Sequence, residues 1–153
     1  MGDVSKNFSM SEFLVSQTAA RLGKEIVPDR DEENYLRLLI KQTMQPIRDM
    51  LDAPVIITSG LRPKWLNELI GGSRTSQHMR GQAADFRVVG MEPYAVCMKI
   101  AENEDIPYDQ LIHEFGSWIH ISYVPGMTRR RENLTASSDG EGGTKYVYEI
   151  QRV

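Results

Sequence analysis

The chain has 153 residues, 41% hydrophobic and 25% charged, with a formal net charge of -3, the balance of one packed domain rather than a disordered segment. That charge argues against a dedicated nucleic-acid binder, which carries a strongly basic face, and the triplet Arg129-Arg130-Arg131 reads as a solvated surface run. The single cysteine, Cys97, excludes an internal disulfide; in the apolar stretch Ala95 to Ile100 it reads as a small buried hydrophobe.

The opening residues, MGDVSKNFSMSEF, hold no apolar run behind a basic region, and no stretch is long enough to span a bilayer. A product made soluble in the cytoplasm, without a signal peptide, is therefore expected. Ser9-Met10-Ser11-Glu12 has the spacing of a capping box. Phe13, Leu14 and Gln17 to Ala20 follow, and Gly23 is a stop, so residues 10–22 are expected as a short helix. After a turn at Pro28-Asp29-Arg30, Tyr35, Leu38, Leu39, Ile47 and Leu51 recur at helical spacing. Pro46 interrupts that pattern, which predicts a kink or break near Gln42 to Gln45.

The period then changes. Pro54 to Ser59 is short, β-branched and bounded by turn residues, a buried strand. Pro63 suits the first turn of a helix from Lys64 to Ile70, ended by Gly71-Gly72. Ala83 to Val88 reads as a second strand, and Pro93 to Asn103 as a further helix. Gln110 to Glu114, Trp118 to Val124 and Lys145 to Gln151 are strand candidates, with the polar, Gly-rich residues 126–144 a mobile loop. Without repeats or a linker, helices first and strands later predict a single α+β domain over residues 1–153, with a small, mostly antiparallel sheet.

Of the three histidines, His78, His113 and His120, two lie in stretches rich in special residues. A catalytic zinc takes three protein ligands, commonly imidazole nitrogen and carboxylate oxygen, and leaves a fourth position for water. His78, Asp85 and His120 supply such a set. An ionised Asp85 between Ala84 and Phe86 is costly to bury unpaired. A metal would relieve that cost; so would an ion pair or hydrogen bonds, and either histidine could serve packing instead. Spacing alone leaves these alternatives open.

The pattern Ser76-x-His78-x-x-Gly81-x-Ala83-x-Asp85, preceded by Ser59-Gly60-Leu61-Arg62-Pro63 and followed by a glutamate and a histidine, resembles the D-Ala-D-Ala carboxypeptidase family of zinc peptidases. That family shares a larger group with lysostaphin-type enzymes and the hedgehog signalling domain. The likeness runs from about Phe8 to Tyr148 and is closest to the short, phage-type branch. It implies a hedgehog-like fold with N-terminal helices packed on the sheet, Zn2+ as cofactor, and His78, Asp85 and His120 as its ligands. It further implies Glu114 as catalytic base and Arg62 as the residue that holds substrate and polarises its carbonyl.

The chain departs from relatives that place the glutamate three residues before the last histidine, where Ser117 stands here. Others carry a histidine two residues before it; here that position is Trp118, either a pocket wall or a core aromatic. Gln110 and Ser76 are weaker candidates for substrate contact, Ser76 also shaping the loop around His78. His113 is expected on the opposite strand face from Glu114, structural or surface-exposed.

The resemblance implies hydrolysis of peptidoglycan stem peptides, as an endolysin-type L-alanyl-D-glutamate endopeptidase. Alternatives are a D-Ala-D-Ala carboxypeptidase or dipeptidase, and a non-catalytic zinc-containing binding module. The expected partner is the peptidoglycan peptide, with no nucleic acid and no membrane span. A monomer is expected, acting on the cell wall after release or as part of a phage particle.

Overall fold

The computed structural model describes residues 2–126 and 130–153; Arg129 of the basic triplet and a short part of the expected 126–144 loop lie outside them. The N-terminal helix expected over residues 10–22 is divided. Met10–Phe13 forms a 3-10 turn that opens on the expected capping box, in which the Ser9 N–H donates to Glu12 Oε2 at 2.7 Å. The chain then breaks and restarts as α1, Gln17–Arg21, where Ser16 Oγ accepts from the Ala19 N–H at 3.2 Å. Ser16, by satisfying a free backbone donor, begins the second helix.

Helix α2, Arg30–Leu39, opens on a reciprocal cap: Asp29 and Glu32 each accept the other's N–H at 2.8 Å. A π-turn, Ile40–Met44, joins it to α3, Gln45–Leu51. Here the expected interruption takes its physical form. Pro46 has no N–H to give to Gln42, and the preceding Gln45 N–H reaches back five residues to the Ile40 carbonyl. The buried stripe is Leu36, Leu39, Ile40, Met44 and Ile47, so the face centres beside Tyr35 and Leu38 rather than on them. No helix among the described residues is long and apolar enough to cross a membrane.

Strands β1 (Val55–Ser59), β2 (Ala83–Val88), β3 (Gln110–Glu114), β4 (Trp118–Ser122), β5 (Glu132–Ser138) and β6 (Thr144–Tyr148) form one sheet in the order β1-β2-β4-β3-β5-β6. Every neighbouring pair is antiparallel except β3 with β5. The mixed α+β architecture with a mostly antiparallel sheet is the expected one. The segment 126–144 is not wholly loop, however, because β5 occupies seven of its residues. Arg130 and Arg131 are not idle surface charge either: Arg130 pairs with Asp109 at 3.1 Å and Glu132 at 3.3 Å, and the Arg131 guanidinium donates to the carbonyls of Ile106 and Ala101.

Helix α4, Lys64–Leu69, follows β1, and α5, Pro93–Glu102, packs over β2, β3 and β4. One sheet face, with Ala84, Phe86, Leu111, Ile119 and Ile121, joins Val96, buried Cys97 and Ile100 of α5 in a core that includes the stripe of α2 and α3. On the opposite face two register rows run side by side. Asp85, His120, Ile112 and Leu134 form the first, and Trp118, Glu114, Ala136 and Tyr146 the second. Side chains paired across strands share a face, so these rows form a common floor.

A candidate metal centre in an open cleft

His78 comes from a 3-10 turn, Gln77–Arg80, between α4 and β2. Ser76 starts that turn by accepting the His78 N–H on its Oγ at 3.2 Å. Gly81 ends it at φ 75, and a Cβ there would stand 2.6 Å from the Glu32 carbonyl oxygen of α2. The glycine therefore lets the turn sit against the helix in a left-handed conformation. Gly60 makes a second close approach, where a Cβ would fall 2.3 Å from the Phe13 carbonyl oxygen. Its own carbonyl accepts from His78 Nδ1 at 2.8 Å. The Arg62 N–H donates to the His78 carbonyl at 2.9 Å, so the segment after β1 and the histidine turn are stapled together.

Asp85 Oδ1 is the meeting point, 3.1 Å from His78 Nε2 and 3.0 Å from His120 Nδ1. The imidazole rings stand 5.0 Å apart at 65°. His78 and His120 are buried and the Asp85 side chain is 14% exposed. Burial opposes ionisation of Asp85, yet the two imidazoles outweigh it and hold the carboxyl well below the usual carboxylate range.

These three donors fit a metal ion. One potential ligand atom from each residue lies within 4.8 Å of the others, and ligands around a tetrahedral zinc stand about 3.3 Å apart. With Nδ1 of His78 committed as donor to Gly60, a neutral ring turns its Nε2 lone pair toward a carboxylate oxygen. Two acceptors so placed need a cation or a proton between them. The Gly60 contact fixes the ring in the manner of a carbonyl that orients a metal-bound histidine.

Around this group opens a cleft of about 810 Å³, lined by Arg62, Ser76, His78, Asp85, Gln110, Glu114, Trp118 and His120, so the expected metal, catalytic and substrate-contact residues come together. Burial raises the Glu114 carboxyl to about 7; His120 and Arg62 pull it down, and Asp85 pushes it up. Burial likewise lowers the Arg62 guanidinium against the opposing pull of Asp85 and Glu114. Arg62 Nη2 donates to Ser76 Oγ at 3.2 Å, while its Nε is buried without a partner among the described residues. Gln110 is tied by its Nε2 to Glu132 at 2.8 Å. Trp118 is half-buried in the cleft wall against Phe115, so it is not a core aromatic. His113 faces away from Glu114 and is buried, not surface-exposed; its Nδ1 donates to the Gln151 carbonyl at 2.8 Å.

A family model for Peptidase M15 matches residues 6–122. The chain belongs to the peptidase M15 family. The expected membership among D-Ala-D-Ala carboxypeptidase and hedgehog-like zinc peptidases is thereby shown. No curated protein matches the chain. In this M15 protein the matched span contains the whole His78, Asp85 and His120 group and ends with β4, whereas β5 and β6 lie beyond it.

Those two strands bring in cleft residues that the sequence reading passed over, Leu134, Thr144 and Tyr146. Phe115 and Ile112 also line the cleft. Period-two alternation along Gln110, Ile112 and Glu114 was a signal for Ile112. Tyr146 carried none, because its position depends on the pairing of β6 with β5.

Proposed function

We propose that this M15 protein is a zinc metallopeptidase that hydrolyses peptide bonds of bacterial peptidoglycan stem peptides, as an L-alanyl-D-glutamate endopeptidase. The observation that carries the reading is the convergence of His78, Asp85 and His120 in one cleft with a raised carboxyl, Glu114, and a guanidinium, Arg62. Likeness to the short, phage-type branch supports the choice of bond.

His78, Asp85 and His120 would hold the ion. When bound, zinc supplies Lewis acidity that polarises a carbonyl and acidifies water. Glu114 accepts the proton of the attacking water at its carboxylate and delivers it to the leaving amine; a base poised near the working pH suits both transfers. Arg62, whose guanidinium lines the cleft, stabilises negative charge growing on the carbonyl oxygen. Ser76 holds the Arg62 guanidinium, and Gln110 and Trp118 contact the peptide. The protein would reach the wall after release from the cell or as part of a phage particle.

The test is digestion of purified peptidoglycan and of free D-Ala-D-Ala by zinc-loaded protein, with new termini identified by mass spectrometry. New L-alanine carboxyl and D-glutamate amino termini are expected. Release of D-alanine alone would make it a carboxypeptidase, cleavage of the free dipeptide alone a dipeptidase. No cleavage of either would make it a zinc-containing binding module.

A further inference from the structure

Phe115 directly follows Glu114 and stands at φ 55, with Gly116 at φ 66. The Ser117 N–H donates to the Glu114 carbonyl at 2.9 Å, closing a turn with positive φ at both central positions, the type I′ pattern. Such turns favour Asn-Gly, because a bulky side chain at positive φ brings its Cβ against backbone oxygen. Gly116 meets the requirement; Phe115 does not. The turn is held from outside, since the Phe115 N–H donates to the Ala136 carbonyl of β5 at 2.8 Å.

The core gains little from this strained residue, because Phe115 remains 36% exposed. Its ring instead lines the cleft beside Glu114 and lies 5.5 Å from the Trp118 ring at a tilt of 40°. Trp118 is the cross-strand partner of Glu114. Strain kept at an exposed position in a cleft marks a residue retained for what it contacts there. Two adjoining ring faces make an apolar wall with the indole N–H as its one polar group.

We propose that Phe115 and Trp118 form an apolar subsite that receives the uncharged, aliphatic side chain of the peptide residue next to the scissile bond. This rests on the peptidase reading of the cleft and adds to it where the substrate lies. Phe115 is then a specificity-determining residue.

The experiment compares zinc-loaded wild type with Phe115→Asn and Phe115→Leu, by thermal unfolding and by steady-state cleavage of soluble muropeptides with intact stem peptides. Asparagine tolerates the turn, so Phe115→Asn should raise Tm by about 2–4 °C. It should also raise KM about tenfold with kcat held within about twofold, the mark of binding lost equally in ground and transition states. Phe115→Leu keeps the strain and part of the apolar wall, so its KM should fall between the two without a gain in Tm.

A fall in Tm for Phe115→Asn, or an unchanged KM, would overturn the inference. If wild type leaves muropeptides intact, the proposed substrate fails on its own account. The subsite then stands or falls on the Tm of Phe115→Asn and on whether an aliphatic tetrapeptide blue-shifts Trp118 emission, read in a Trp65→Phe background, more with Phe115 present than with Asn in its place.

Discussion

Asp85 and His120 are cross-strand partners on the antiparallel pair β2 and β4, with Oδ1 and Nδ1 3.0 Å apart. The ladder fixes two of the three donors before any ion arrives, and the Gly60 carbonyl orients the third. A site so preorganised should bind zinc tightly and lose it when one donor is cut. Asp85→Ala is expected to drop zinc content from about one per chain, the stoichiometry of a three-residue catalytic site, to near background. Elemental analysis after dialysis measures this; full occupancy in the variant would refute the ligand set.

Glu114 sits two residues beyond Ile112, itself the register partner of His120, and lines the same cleft without belonging to the group that could hold the metal. Glu114→Gln should therefore keep its zinc yet lose about 10²–10⁴-fold in kcat, the usual contribution of a general base. Turnover on muropeptides and zinc content, measured on the same preparation, test the two halves together. A variant that keeps its turnover would send the base assignment elsewhere.

The direction of the Glu114 shift yields a pH signature. A base acts when ionised, so kcat/KM should rise with pH toward a plateau, its midpoint at or below about 7, because a bound cation pulls a nearby carboxyl down. Folding stability of the metal-free protein runs the other way. A carboxyl raised from 4.5 to about 7 favours the protonated form in the fold, so its contribution is full below 4.5 and is lost as pH rises toward 7. Asp85 is shifted down, so its contribution is present above its ordinary value and is lost only in more acidic solution. Urea unfolding of metal-free wild type and Glu114→Gln between these limits should show the decline in wild type and its flattening in the variant.

How much of this was legible in the chain follows from where each interaction lies in sequence. His78 and Asp85 share one compact motif, and His120 lies on an apolar strand with a strict period of two, so their convergence left local traces. Pro46 likewise marked the interruption between α2 and α3. Strand β5 left none: Glu132-Asn133-Leu134-Thr135-Ala136-Ser137-Ser138 is polar, and it is a strand because β3 and β6 pair with it on either side. Strand preference is largely a property of such neighbours. Phe115 was passed over for a related reason, because its significance lies in a backbone angle and not in its type.

Gly81 tests whether the scaffold and the metal group are coupled. It occupies φ 75 with a Cβ position 2.6 Å from the Glu32 carbonyl oxygen, three residues after His78. Gly81→Ala adds left-handed strain of about 1–2 kcal/mol and a clash with backbone that has no flexible end to move. The cheapest relief is for the Gln77–Arg80 turn to lift off α2, which swings His78 away from Asp85. The variant should lose about 3–8 °C in Tm, given the sensitivity of a chain this size, and zinc affinity should fall by at least about tenfold, the scale on which disturbed orientation of a ligand is felt. Calorimetric melting and a competitive chelator titration read the two effects separately. A variant that melts lower but keeps wild-type zinc affinity would show that the histidine turn is positioned by Ser76 and Gly60 without help from α2.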